Sequence, residues 1–263
     1  MKKLLILGFL FSLVSAQHLS QNWSEGTAYV LPQGRWEVGL FQPLKFGYSP
    51  STEITVHPLV MFIMPNASIK HVWRRQSNAT WSSVHSAYYP TPLLNMVAKE
   101  GTGGLVSPEF EFPAAILLYN EVRVSRPIND KVLMTGKTGL GLGKAFGDLD
   151  ERTTIDFPLI YQRLSPLYNG AYLRIGADFV ISIAKKWELH LDDDLFLMAN
   201  KDATIGFEHK GLLVWKKSDR FRATVGYKVV FGQYPFGNQW NLMPPFIPLL
   251  PIWVPLFDFQ WGW

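Results

Sequence analysis

The sequence contains no cysteine. This absence excludes disulfide bonds, thiolate catalysis, cysteine-ligated metals and a lipoprotein anchor. A chain of this kind, if exported, must gain its stability in another way. A closed β-barrel does so by pairing every backbone N–H and C=O group.

A strong charge bias is also missing. The formal net charge is +4 at pH 7, and Lys2 and Lys3 contribute to it from the first residues of the chain. Lysine and arginine form no run that is interleaved with aromatic residues, so we expect no nucleic-acid partner.

The apolar runs are too short for a transmembrane helix. The stretch from Leu4 to Val14 follows two lysines and precedes Ser15 and Ala16, which is typical of a secretory signal peptide over residues 1–16. It falls short of the roughly 20 residues that a spanning helix needs. The late apolar stretch 242–257 holds prolines at 244, 245, 248, 251 and 255, which forbid a continuous helix.

The last residues alternate in a way that predicts a strand. Aromatic side chains stand at every second position from Phe257 to Trp263, and Asp258, Gln260 and Gly262 lie between them. Successive side chains of a strand point to opposite faces, so one face becomes a column of aromatics. Aromatic side chains favour the membrane interface, which favours a lipid-facing barrel strand.

The same alternation recurs through most of the chain. It is clearest in 171–183, 187–198, 204–216 and 221–232, and looser in 36–46, 54–62, 68–75, 116–125, 131–143 and 153–164. Soluble sandwiches and lipid-binding barrels alternate too. The segments, however, are near the roughly 9–11 residues of a tilted membrane strand, their apolar faces end in aromatics, and their other faces carry charges.

With the C-terminal strand, the predicted strands number eleven. A single-chain barrel prefers an even number, so either a twelfth strand lies in Trp240–Leu250 or one weak segment is a loop.

The aromatic C-terminal strand resembles the last strand of bacterial outer-membrane β-barrels. This resemblance implies an all-β fold, a transmembrane antiparallel up-and-down β-barrel of about 10–12 strands over residues 17–263. It also implies recognition of the last strand by the barrel assembly machinery. The expected location is the outer membrane of a Gram-negative-type bacterium, in contact with outer-membrane lipid, as a small porin-like barrel.

In such a barrel the charged faces line the lumen and the aromatics mark the membrane interface. The predicted lumen charges are Arg174, Asp178, Glu188, His190, Asp192, Asp194, Glu208, Lys210, Arg222 and Lys228. The predicted interface aromatics are Trp187, Trp215, Phe221, Phe231, Phe257, Phe259, Trp261 and Trp263. The acids beside His190 could also hold a divalent ion, but the arginines and lysines of the neighbouring strands favour a network of ion pairs. No metal, cofactor or catalytic residue is predicted.

A long insertion and a set of alternating glycines are interpreted as parts of the fold rather than as binding or catalytic motifs. Residues 76–113 read as a long loop insertion at the barrel mouth, with a possible short helix from Pro92 to Lys99. Gly139, Gly141 and Gly143 share one face of a strand, which lets the lumen stay open or bulky neighbours pack against bare backbone.

The leading functional hypothesis is a porin-like or structural barrel with a narrow or plugged charged lumen that passes at most small solutes. A lipid-modifying enzyme of the outer membrane is the first alternative. Against it, His71 and His209 fall on the apolar side with no serine two residues away, and His85-Ser86 lies in the predicted insertion. The second alternative is a soluble periplasmic ligand-binding β-barrel.

Overall fold

The computed structural model describes residues 22–99, 108–150, 166–199, 204–234, 237–243, 246–249, 252–255 and 257–263. The predicted leader, 1–16, and the predicted strand at 153–164 lie outside these residues. Among the described residues, no helix is long and apolar enough to cross a bilayer.

The described chain consists of fifteen strands and two short helices. The strands are β1 (Trp36–Gly39), β2 (Leu44–Ser49), β3 (Thr52–Val56), β4 (Asn66–Arg75), β5 (Thr80–Tyr88), β6 (Ala115–Asn129), β7 (Val132–Ala145), β8 (Ala171–Ala184), β9 (Trp187–Met198), β10 (Ile205–Ser218), β11 (Phe221–Tyr234), β12 (Gly237–Met243), β13 (Phe246–Leu249), β14 (Ile252–Pro255) and β15 (Phe257–Gly262). The helices are α1 (Thr91–Val97) and α2 (Pro166–Asn169).

Twelve strands close into an antiparallel barrel. Each strand from β1 to β11 pairs with the next, and β15 pairs with both β11 and β1, which completes the ring. The predicted all-β, up-and-down barrel of about 10–12 strands is thereby confirmed. Closure pairs each of these twelve strands on both sides, so they satisfy one another's backbone groups.

Two strands, β12 and β15, pair with the same side of β11. β12 pairs with one half of β11, from Tyr234 to Lys228, and β15 pairs with the other half, from Val225 to Phe221. The small hairpin of β13 and β14 belongs to the segment between them. The twelfth strand expected in Trp240–Leu250 therefore corresponds to β12, which lies beside β11 in line with the C-terminal strand β15 and does not add a separate strand to the ring.

The even number of barrel strands comes from differences in the first part of the chain. The predicted strand 36–46 is two strands, β1 and β2, because Pro43 cannot donate a ladder hydrogen bond and the chain turns just before Leu44. The expected loop 76–113 contains β5, so the connection that follows begins only at residue 89.

The two faces of the barrel wall differ sharply in chemistry. Leu173, Val225 and Tyr227 are 37%, 43% and 40% exposed on the outside, whereas Asp178 and Lys228 are buried inside. This is the reverse of a soluble protein, and it is the arrangement of an outer-membrane type of barrel, with apolar side chains outward and charged side chains enclosed.

The glycines of β7 make room for large side chains inside the barrel. A Cβ atom at Gly139 would collide with the Tyr119 hydroxyl, and one at Gly141 would lie 2.5 Å from the Tyr172 ring. Both tyrosines are almost fully buried. Of the two roles that the sequence left open for these glycines, the structure shows close packing against bare backbone.

Replacing Gly141 with valine is expected to lower the free energy of unfolding by about 1–3 kcal/mol, because the Tyr172 ring has no room to move without displacing Phe196 beside it. Urea titration of the refolded protein, followed by tryptophan fluorescence, measures this change. Gly136→Val is the matched control, since nothing lies within 4 Å of a Cβ atom at that position of the same strand. Equal losses for the two variants would contradict this account.

The two rims of the barrel differ in their connections. The turn rim carries the short connections around 50–51, 76–79, 130–131, 185–186 and 219–220, together with the last residue, Trp263. At the loop rim lie the connections 40–43 and 57–65, and the strands that precede and follow the longer connections 89–114 and 146–170 end and begin there.

Candidate functional site

The barrel lumen is crossed by networks of ion pairs. On β7, Lys137 has a side chain that is 2% exposed and lies among three carboxylates. Its Nζ is 2.8 Å from Asp178 and 3.0 Å from Asp194, and it also pairs with Asp192. Gly176 lies directly opposite, and its missing Cβ leaves space for the Lys137 side chain.

Arg174 on β8 joins this group to a second buried acid. Its guanidinium contacts Glu121 at 3.1 Å and pairs with Asp194. Glu121 also accepts a hydrogen bond from the Tyr119 hydroxyl and pairs with Arg123. Low-dielectric surroundings make such pairs strong only when every partner is present.

A separate group surrounds Arg222 on β11. Its guanidinium is 2.8 Å from Glu25 and 3.4 Å from Glu37, and it lies over the Trp23 ring at 4.2 Å. Lys45 on β2 contacts Glu37 at 3.1 Å. Arg222 is 1% exposed, so this charge is held entirely by the protein.

All ten predicted lumen residues project into the barrel; nine take part in ion pairs, and His190 contacts Glu188. Besides those above, the pairs are Lys210–Asp192, Lys228–Glu208 and Lys216–Glu188. The acids beside His190 thus have cationic partners. Among the residues that the structure describes, no group of three or more potential metal ligands is assembled.

The N-terminal segment 22–35, which we call the plug segment, lies inside the barrel at the turn rim. The Ala28 amide donates to the Ser125 hydroxyl at 2.7 Å, and the Leu31 amide donates to Glu53 at 2.9 Å. Lys70 donates to the Ser24 carbonyl at 3.0 Å. Because these partners stand on β3, β4 and β6 while Glu25 reaches β11, the segment is tied across the lumen rather than to one wall.

Glu25 is the one carboxylate through which the plug segment joins the charged wall. Burial alone would raise the pKa of Glu25, but attraction from Lys45, Arg222, Lys210 and His190 lowers that pKa to about 2. The side chain therefore stays ionised at neutral pH, and its charge is matched by the wall.

An apolar cluster fills part of the loop rim. Helix α1 and the connection that precedes β4 pack against the inner face of β6 through buried side chains. These are Val60, Met64, Leu93, Leu94, Val97, Ala98, Phe112, Ala115, Leu117 and Leu167. Part of the insertion expected at 76–113 thus folds into the mouth.

A chamber of about 320 Å³ remains between the plug segment and the loop rim. Ten charged side chains line it, together with polar and apolar ones. The basic members are Lys45, Lys70, Arg123, Lys137, Arg174 and Lys210, and the acidic members are Glu25, Glu53, Asp178 and Asp192. A space of this size admits a small polar molecule at most.

The predicted interface aromatics all face outward, at different heights. Trp187 pairs with Trp215 across β9 and β10, and Phe221 pairs with Trp261, all close to the turn rim, where Trp263 also lies. Phe231 stands near the loop rim with its ring 4.7 Å from that of Trp240. Phe257 and Phe259 lie between these two levels.

Sequence reasoning missed the plug segment and the charges of the first strands. The segment 22–35 has no regular alternation that could have indicated its place. A signal was present for six of these charges, because each stands on the polar side of an alternating segment. They are Glu37, Lys45, Glu53, Lys70, Glu121 and Lys137.

No family model and no curated protein matches the chain. Among solved structures, it is similar to an outer membrane channel from Pseudomonas putida F1, at 10% identity over 90% of this chain and 97% of that one, with a TM-score of 0.48. It is also similar to OmpT, an outer membrane protein of Vibrio cholerae, at 10% identity over 86% and 64% of the two chains, with a TM-score of 0.41. A FadL homologue of Pseudomonas aeruginosa shares 9% identity over 92% and 70%, with a TM-score of 0.39. At these identities the likeness concerns the fold alone.

Proposed function

We propose that the protein is an outer-membrane barrel whose narrow, charged lumen is closed at rest by the plug segment. The observation that carries this proposal is the course of residues 22–35, which bind several strands across the lumen and pair with buried Arg222. Passage of a small polar solute then requires the plug segment to move. This function is porin-like in class, with a small or absent resting conductance.

The outer surface supports a membrane location over a soluble periplasmic barrel. Large apolar side chains are exposed along consecutive strands. They include Leu140, Leu142, Leu173, Ile175, Leu195, Leu197, Leu213 and Val225. A soluble protein rarely exposes so continuous an apolar surface, whereas lipid covers it without cost.

The two rims suggest an orientation. Outer-membrane barrels have short periplasmic turns and longer external loops. We therefore assign the turn rim to the periplasm, which is also where β15 ends on Trp263. Recognition of this strand by the barrel assembly machinery is part of the proposal.

Single-channel recording in planar lipid bilayers tests the plugged lumen. We expect small or no conductance from the wild type, and more frequent conducting events from Glu25→Gln, because this change removes the ion pair between the plug segment and Arg222. Glu208→Gln is the matched control, since it weakens a 2.7 Å pair with Lys228 between two wall strands. Large, unselective conductance of the wild type would reject the plug while leaving the fold intact.

A further inference from the structure

Three polar side chains meet on the outer surface of the barrel, on the opposite side of the wall from the lumen charges. His85 on β5 has its Nε2 atom 3.0 Å from the Ser83 hydroxyl and its Nδ1 atom 2.8 Å from the Asn120 side-chain oxygen. His85 and Asn120 are direct partners across β5 and β6. Strand geometry places all three on one face, since Ser83 and His85 are two residues apart.

This face is the one turned away from the lumen. Trp81, on the same side of β5, is 40% exposed, and Leu118 and Val122 flank Asn120 with 45% and 38% exposure. The intervening Ser82 and Ser86 are buried on the inner side. Hydrogen-bonding side chains at a lipid-facing surface are costly unless they are paired, and here they are paired with one another.

The hydrogen bonds run from the Ser83 hydroxyl to His85 and from His85 to Asn120, which is the arrangement of an activated nucleophile. With the Nδ1 proton donated to the Asn120 oxygen, the Nε2 lone pair of His85 points to the Ser83 hydroxyl and can accept its proton. Asn120 fixes the tautomer and the orientation of the ring. A hydroxyl, an imidazole base and an orienting oxygen within hydrogen-bond reach are the three parts that nucleophilic acyl transfer needs.

Other histidines on this surface lack one of these parts. His209 bonds Asp193 at 2.7 Å and the Tyr227 hydroxyl at 2.9 Å, without a serine. His71 bonds the Thr52 hydroxyl at 3.0 Å. The complete arrangement is thus specific to β5 and β6 within the described residues.

The height of the group indicates the substrate. Ser83 is two residues along β5 from Trp81, about 7 Å, and Trp73 on β4 is exposed at the same rim. Interfacial tryptophans lie at the level of the lipid headgroups, so Ser83 and His85 lie just beneath them. The acyl ester bonds of a glycerophospholipid occupy this depth.

We propose that Ser83, His85 and Asn120 form a serine-hydrolase centre on the lipid-facing wall, which cleaves acyl esters of glycerophospholipids in the leaflet at the turn rim. The proposal rests on the membrane position proposed above. Ser83 Oγ attacks the ester carbonyl carbon while His85 Nε2 takes its proton. The C–O bond to the glycerol oxygen breaks, and His85 protonates that oxygen. Water then attacks the acyl-serine, with His85 taking the water proton and returning it to Ser83, so that a fatty acid and a lysophospholipid are released.

His71 has two tasks in this scheme. Ser83 is only 2% exposed, and His71 lies directly across from it on β4, exposed to the outside. The reaction therefore requires the Ser83 hydroxyl to become accessible, and in this scheme a rotation of the His71 ring opens it from the β4 side. With Nδ1 accepting from Thr52, the Nε2 atom of His71 carries a proton that can stabilise the oxyanion formed from the ester carbonyl.

Covalent labelling tests the nucleophile directly. The full-length protein, refolded in mixed micelles of detergent and phosphatidylethanolamine, is treated with an alkyl fluorophosphonate and digested for mass spectrometry. We expect an adduct at Ser83 in the wild type and at least about 100-fold slower labelling in His85→Ala. Ser86→Ala and His209→Ala are matched controls and should label at the wild-type rate.

Hydrolysis of a dye-labelled phosphatidylethanolamine in the same micelles supplies the second readout. Ser83→Ala is expected to abolish release of the fatty acid, and Asn120→Ala and His71→Ala should each lower its rate by less than His85→Ala does. Absence of the Ser83 adduct from wild-type protein that has inserted into vesicles overturns the hydrolase and leaves the membrane barrel standing. Protein that fails to insert into vesicles overturns the membrane position itself.

Discussion

Replacement of Arg222 with leucine is expected to lower the free energy of unfolding by about 3–5 kcal/mol, because it removes the cation shared by buried Glu37 and partly buried Glu25. Arg222 is 1% exposed and contacts Glu25 at 2.8 Å and Glu37 at 3.4 Å. Its Nε also donates to the side-chain oxygen of Gln260 on β15. One side chain therefore ties together the plug segment and the seam where the last strand meets the first.

Urea titration in lipid vesicles, followed by tryptophan fluorescence, measures this loss. Arg220→Leu removes an exposed arginine two residues away and serves as the matched control, with an expected change within about 0.5 kcal/mol. Limited proteolysis adds a local readout, because a released plug segment is cut while the barrel resists. An Arg222→Leu barrel as stable as the control would show that the seam does not depend on this charge.

The sequence predicted the second half of the barrel closely. β8 to β11 are each at least 12 residues long, and their outer faces are apolar apart from a few positions such as Asp193 and His209. A shift of one residue in such a strand would turn its apolar stripe into the lumen and most of its charges toward lipid, so the pattern favours one register.

The first half of the barrel was harder to predict, because its strands are shorter or alternate weakly. β1 has four residues, and β5 carries small polar residues on both faces, as in Ser82-Ser83, so alternation is weak. The proposed hydrolase centre was overlooked with it. Once residues 80–88 are known to be a strand, the spacing of Ser83 and His85 puts both on one face, next to Asn120 of the neighbouring strand.

The plug segment could not be predicted from pattern at all. Apart from the Glu25–Arg222 pair, the bonds described above are made by backbone atoms to single side chains of distant strands, such as Ala28 to Ser125 and Leu31 to Glu53. Such bonds need neither periodicity nor a motif in the segment itself. The charged walls, in contrast, follow from the need of every enclosed charge for a partner.

Lys137 is a buried cation that lies among three carboxylates. Replacing it with methionine is expected to lower the free energy of unfolding by about 3–5 kcal/mol, as for a broken buried ion pair. Asp192 keeps Lys210 at 3.0 Å, and Asp194 keeps Arg174, so the loss falls mainly on Asp178. A second change, Asp178→Leu, should therefore recover most of the stability, because an apolar pair of similar size can replace a buried ion pair.

A double-mutant cycle in urea titrations separates this coupling from simple loss of packing. Two singles whose effects merely add in the double variant would contradict a specific pair between Lys137 and Asp178, which are 2.8 Å apart. Lys131→Met, at the exposed turn before β7, is the matched control for removing a lysine. Strong coupling in the cycle would show that an enclosed ion pair joins β7 to β8 in addition to their backbone ladder.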